Sequence, residues 1–194
     1  VKTILVALDP FPSVIQEAID LDADLLVTHH PLIFRDPLLA VNEDTPAGQC
    51  ILTLIEHGIA AINAHTNLDL APGGVNDVLA QTLGLSEISL VTPEGLLPDG
   101  RPYGLLRQGS VPQQPLADFL AHVKSTLHCD GLRYVDSGKP VKKVAVGGGA
   151  CADEMLGAFR AGCDTFVTAD VKYNQFRTAS DLGLNLIDAG HFHT

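Results

Sequence analysis

VKTILVALDPFPSVIQEAIDLDADLLVT, residues 1–28, is the stretch that decides the fold. Val1 to Leu8 is rich in branched apolar residues and too short for a helix, so it reads as a strand. Pro12 to Leu21 then places Val14, Ile15, Ala18 and Ile19 at helical spacing after a Pro/Ser start. Asp24 to Thr28 is a second short apolar run, and His29 and His30 follow at its carboxyl end. Strand, helix and strand in so short a length make a βαβ unit, with two parallel strands and a right-handed crossover.

The same layout recurs further along the chain. Setting residues 1–28 against 141–168 without a gap pairs Val1 with Val141, Lys2 with Lys142, Val6 with Val146, Ala18 with Ala158, Asp24 with Asp164, Val27 with Val167 and Thr28 with Thr168. The copies then diverge into THH (28–30) and TAD (168–170). HGIAAINAH (57–65) and LGLNLIDAG (182–190) extend the likeness, a glycine leading into a strand that delivers His65 or, one residue later, His191. These matches point to an internal duplication and to an α/β protein of two similar α/β halves, with mixed sheets flanked by helices. The halves fall at 1–85 and 139–194. The connecting segment 86–138 holds a Pro/Gly-rich stretch from Pro93 to Pro115, a helix over Leu116–Leu127 and a short strand over Leu132–Val135.

With 194 residues, 46% hydrophobic and 18% charged, the chain is long and apolar enough for a real core, which excludes global disorder. No apolar run approaches the roughly 18 residues of a membrane-spanning helix. Twelve basic against 23 acidic residues leave a net charge of −11, which argues against a nucleic-acid partner, because counterion release needs clustered Lys and Arg. Cys50, Cys129, Cys151 and Cys163 form no CxxC pair and no signal peptide precedes the first strand, so the expected compartment is the cytoplasm. The chain opens at Val1 inside a strand-like run and stops at Thr194 within a histidine cluster, which reads as a fragment trimmed at both ends.

Eight histidines are many for this length, and four stand where strands end: His29, His30, His65 and His191. Ligands of open α/β sheets gather at the carboxyl ends of strands, so these positions are expected to converge on a cleft between the halves. If the backbone stays extended, His29 and His30 point in opposite directions and would serve two ions rather than chelate one. His65-Thr-Asn-Leu-Asp69 adds a carboxylate four residues from an imidazole, close in space if the segment turns helically or curls as a loop. Imidazoles with a carboxylate suit two divalent ions, Zn, Fe or Mn. His57, His122 and His128 read as structural or solvent-facing. Gly147-Gly-Gly149, between a strand and the helix Asp153–Arg160, reads as a tight turn, with a phosphate cradle as the alternative. Gly73-Gly74 shapes the entry to a helix over Val75–Leu83. There is no GxSxG elbow, which disfavours covalent catalysis.

These residues resemble the GTP cyclohydrolase 1 type 2 homologues, the NGG-interacting-factor-like dinuclear metal proteins. The matching stretches are ALD (7–9), EAI (17–19), ADLLVTHHPLIF (23–34), AAINAHTNLDLAPGGVNDVLA (60–80), the strand and glycines over Val144 to Gly149, and IDAGHFHT (187–194). The resemblance implies a two-metal site in a toroidal homohexamer, with ligands at His29, His30, Asp69 with His65 beside it, and His191. The family's bridging glutamate falls one position beyond Thr194. GRPYGLL (100–106) matches the family's glycine/arginine strand only loosely, and the chain has the short form without an inserted domain. The implied function is a metal-dependent hydrolase acting on a nucleotide or related small molecule. Asp170, the counterpart of His30, would orient a ligand or water, and His193 would donate a proton. The alternatives are a metal-stabilised scaffold that binds other proteins, and a phosphoesterase.

Overall fold

The computed structural model describes residues 1–34 and 40–194, which form two compact units, Val1–Asn67 and Leu68–Thr194. In the first unit β1 (Ile4–Ala7), α1 (Pro12–Asp20), β2 (Leu25–Thr28), α2 (Pro46–Glu56) and β3 (Ala60–Asn63) build a three-stranded sheet in the order β1-β2-β3, parallel throughout. Pro12 opens α1, and the Thr45 hydroxyl caps α2 by accepting from the Gly48 amide at 3.1 Å. Ile15, Ala18, Cys50 and Leu54 of the helices bury Leu26 and Ile59 against one sheet face. The opposite face carries Ile4, Val6 and Ile62, all exposed.

The unit boundary falls within α3 (Thr66–Leu70), the helical one of the two conformations left open for the His65–Asp69 segment. Beyond it come α4 (Val75–Thr82), β4 (Ser86–Leu90), β5 (Gly95–Leu96), β6 (Pro102–Tyr103), β7 (Arg107–Gln114), α5 (Leu116–Thr126), β8 (Arg133–Val135), β9 (Val141–Val146), α6 (Met155–Arg160), β10 (Thr165–Thr168), α7 (Tyr173–Leu182) and β11 (Asn185–Asp188). Six strands form one mixed sheet in the order β4-β7-β9-β10-β11-β8, parallel only over β9-β10-β11. Segment 86–138 thus supplies two further strands of this sheet, β4 and β7, and the β5–β6 hairpin, besides the helix and the strand β8 legible in it.

Strands buried on both faces explain why this stretch reads as continuous apolar runs rather than alternating ones. Val144, Val146, Val167 and Ile187 pack on one side against Leu79 of α4, Leu83 at its C-cap, and Phe119 and Val123 of α5. Ala145, Phe166 and Leu186 pack on the other against Met155 and Ala158 of α6 and Ala179 of α7.

Residues that the two gapless alignments pair hold equivalent backbone positions. Ile4 stands opposite Leu25 as Val144 does opposite Thr165, and Leu25 opposite Ala60 as Thr165 does opposite Asn185. The Asp24 carboxylate accepts from the amides of Lys2 and Thr3, and that of Asp164 from the amides of Lys142 and Lys143. These bonds hold the Asp24 carboxyl below its ordinary value. Among the described residues no helix is long and apolar enough to cross a membrane.

Candidate metal centre

Parallel pairing of β1, β2 and β3 brings their carboxyl ends to one edge of the first unit's sheet, and the histidines leave from there. Beyond the paired residues Ala7 and Thr28, the amides of His29 and His30 donate to the carbonyls of Ala7 and Leu8 at 3.3 and 2.9 Å. Thr28, 2% exposed, donates its hydroxyl to the His30 carbonyl at 2.8 Å and accepts from the Asn63 amide at 2.6 Å. This side-chain lock bends the chain where an extended strand would continue. The two rings therefore do not diverge as extended geometry requires: their centroids lie 5.1 Å apart, and His65 stands 5.1 Å from His29 and 5.8 Å from His30.

Each of the three half-buried rings offers a nitrogen, and these nitrogens all lie within 4.8 Å of one another. Three nitrogens on one zinc at about 2.1 Å each stand roughly 3.5 Å apart, so the cluster fits one ion once the rings close by about 1 Å. Division between two ions about 3.5–4 Å apart fits it equally. The His29 Nδ1 faces the Ala64 carbonyl at 2.8 Å, and the His30 Nδ1 faces Asp9 Oδ1 at 2.7 Å. The Thr66 hydroxyl stands 3.4 Å from the His65 Nδ1, and Phe34 meets the His65 ring edge-on at 5.4 Å.

The remaining site candidates belong to the second unit, where a continuous chain of contacts joins them. Asp69, half-buried at the end of α3, has its carbonyl 3.3 Å from the Asn76 amide nitrogen. Asn76 is wholly buried, and it also donates to the Leu105 carbonyl at 2.7 Å and accepts from the Gly148 amide at 2.7 Å. Gly149 continues to Thr194, whose hydroxyl accepts its amide at 3.0 Å, and to the His191 ring beneath it. His191 Nδ1 faces Asp170 Oδ2 at 2.6 Å. His193, in the same 3₁₀ turn, directs its Nδ1 to the Leu127 carbonyl at 3.1 Å.

The amides of Gly147, Gly148 and Gly149 donate to the Val167 carbonyl, Asn76 and Thr194. Internal partners thus take all three, which favours the tight turn over a phosphate cradle. A Cβ at Gly149 would stand 3.0 Å from His191 Nε2, and its φ of +60° is one that L side chains resist. Alanine at Gly149 is expected to cost roughly 1–2 kcal/mol in denaturant unfolding of the metal-free chain and to displace the His191 ring.

Burial, with the carboxylates of Asp69 and Glu154 nearby, pushes the Cys151 thiol up to about 12. It is a neutral donor to the Gly148 carbonyl at 3.0 Å, in keeping with a ligand set of imidazoles and carboxylate. All four cysteines are unpaired thiols.

The sequence profile described as Duf34/NIF3 (NGG1p interacting factor 3) matches residues 1–194. The chain belongs to the Duf34/NIF3 family. A Clostridium perfringens protein called GTP cyclohydrolase 1 type 2 homolog is 34% identical over 200 residues, covering 100% of this chain and 73% of that protein. Its Streptomyces coelicolor namesake is 38% identical over 201 residues, covering 100% and 69%. The crystal structure of a Bacillus cereus protein related to NIF3 matches with a TM-score of 0.90 at 28% identity, over 100% of this chain and 79% of that one.

In this Duf34/NIF3 chain the sequence does not single out Asp9, Thr28, Asn63 and Asn76, which bond to the candidate residues or to the backbone beside them. Each is polar at or next to a strand or helix end, a placement that turn residues share. What could have singled out Asp9 is its position one strand over from His30, just past the end of β1.

Proposed function

We propose that this chain is a divalent-metal-dependent hydrolase acting on a nucleotide or a related small molecule. It would bind two ions of Zn, Fe or Mn through His29, His30, His65, Asp69 and His191. The observation that carries this is the gathering of three imidazole nitrogens within 4.8 Å at one sheet edge. Neutral imidazoles with a carboxylate fit such ions without a thiolate. When bound, divalent ions supply Lewis acidity and bring the pKa of water toward neutrality.

His193, its Nδ1 directed to the Leu127 carbonyl, would hand over a proton from Nε2 as the doubly protonated imidazolium. The relatives' printed name, GTP cyclohydrolase 1 type 2 homolog, supports a purine nucleotide as the first substrate class to try. We extend the proposal to a cytoplasmic protein, to a toroidal homohexamer as the family resemblance implies, and to an origin of both α/β blocks by duplication, which their matching registers support.

A second reading has one specific support: the family description names an interacting factor, which fits a metal-stabilised scaffold for another protein. Incubating the metal-loaded chain with a panel of nucleotides separates the readings by mass spectrometry. Ring-opened products are expected. Dephosphorylated products alone would make it a phosphoesterase, and no turnover with metal bound would favour the scaffold.

A further inference from the structure

We infer that Asp9 and Asp170 are positioning residues, carboxylates that fix the tautomer and aim of His30 and His191 so that each ring presents Nε2 to a metal. The inference rests on the metal reading above and deepens it. A backbone carbonyl and an ionised carboxylate only accept hydrogen bonds, so an imidazole nitrogen facing one must carry the proton. His30 faces Asp9 Oδ1 with Nδ1 at 2.7 Å, and His191 faces Asp170 Oδ2 with Nδ1 at 2.6 Å. In both rings, whatever the charge, the proton stands on Nδ1. Nε2 is then the nitrogen whose lone pair a metal can take. His29 is set the same way by the Ala64 carbonyl at 2.8 Å. Metal-ligating histidines are generally held by such an outer partner, which also raises their basicity.

Two features show that these pairs are built into the fold. Each spans neighbouring parallel strands: Asp9 follows β1 while His30 follows β2, and Asp170 follows β10 while His191 follows β11. The same carboxylate–imidazole device thus recurs at the exits of two separate parallel blocks. The alignment that pairs His30 with Asp170 also pairs Asp9 with Gly149, so the recurrence is not a copied pair of residues. Asp170 holds a left-handed backbone, φ 51°, a conformation aspartate adopts more readily than most residues and that Asp22, Glu87 and His128 share. Of the two, Asp9 is the more sheltered, its side chain 28% exposed beside His30 at 23%, against 54% and 39% for Asp170 and His191.

The test uses the full chain, stripped of metal and titrated with Zn²⁺ against a chromophoric chelator. Asp9→Ala is expected to weaken zinc binding by about 10- to 100-fold, and Asp170→Gly by about 10-fold. Glycine suits the left-handed backbone at 170, so the melting temperature of metal-free Asp170→Gly should not fall. In long-range ¹H–¹⁵N spectra of the metal-free parent, His30 should show a single Nδ1–H signature that Asp9→Ala abolishes. Asp9→Asn, which keeps an acceptor oxygen, should fall between parent and alanine.

Zinc affinity within about threefold of the parent in both variants would overturn the positioning role, since outer partners typically contribute at least tenfold. So would an unchanged His30 signature in Asp9→Ala, or affinity losses that only track loss of fold in the metal-free state. A parent chain that takes up no zinc would instead sink the metal reading itself.

Discussion

Alanine at His30, or at Asp69, is expected to lower the divalent metal held by the chain from about two ions to one or none. His30 contributes one of three nitrogens gathered within 4.8 Å, and neither remaining ring can cover its direction, because His29 is tied to the Ala64 carbonyl and the Phe34 ring abuts His65. Truncation replaces a lone pair with a methyl group, so a site that lost one ligand would have to recruit water in its place. Asp69 is expected to matter as much, because a carboxylate supplies negative charge that neutral imidazoles cannot. Metal per chain, read by elemental mass spectrometry after reconstitution and desalting, checks this directly. His57→Ala is the control: His57 is exposed at the end of α2, with its Nδ1 2.9 Å from the Thr53 carbonyl, and its loss should leave metal content unchanged. Parent-like metal content in both His30→Ala and Asp69→Ala would end the ligand assignment.

The elements flanking the candidate ligands were legible because apolar period and end signals agree. The helices expected over Pro12–Leu21, Val75–Leu83 and Leu116–Leu127 are found one residue shorter, and in each case the extra residue is a leucine at the C-cap. Leu83 and Leu127 are buried, so the hydrophobic pattern runs on after the backbone has left helical geometry. Strand β7 was not legible. Its inward positions are Arg107, Gly109 and Val111, and only valine looks like a core residue. The arginine is buried because carboxylate and carbonyl partners receive it. The glycine is needed because a Cβ there would come within 2.7 Å of the Ser86 carbonyl on the neighbouring strand. Both reasons lie in the partners, at positions far away in the sequence. The site divides the same way. Histidines and Asp69 announce themselves by type and spacing, whereas Asp9, Thr28 and Asn76 act through bonds that exist only once strands and helix ends are assembled.

Removing the guanidinium of Arg107 is expected to destabilise the second unit by about 3 kcal/mol, near the low end for breaking one partner out of a buried ion pair. Arg107 is 3% exposed, and its Nε donates to Asp77 Oδ1 while Nη2 reaches Asp77 Oδ2 at 3.3 Å. The same group donates to the carbonyls of Gly104, of Leu70 at 3.3 Å and of Ala71 at 3.2 Å, clamping the turn that leaves Asp69 and enters α4. Methionine at 107 keeps much of the packing volume and strands the carboxylate with three carbonyls. The Asp77 side chain retains 17% of its exposure, which lets water soften the penalty and keeps the figure from the top of the range.

The loss should also depend on pH. Burial tends to raise the Asp77 carboxyl, but the Arg107 guanidinium and the Gly73 amide outweigh it and hold the group below its ordinary value of 3.8. A depressed folded-state pKa stabilises above the unfolded value, and that contribution disappears as the pH falls through the folded one. Denaturant midpoints of parent and Arg107→Met should therefore differ most above about pH 4 and converge in stronger acid. A difference that stays constant across that window would mean that Arg107 supports the turn through its carbonyl contacts alone, and not through Asp77.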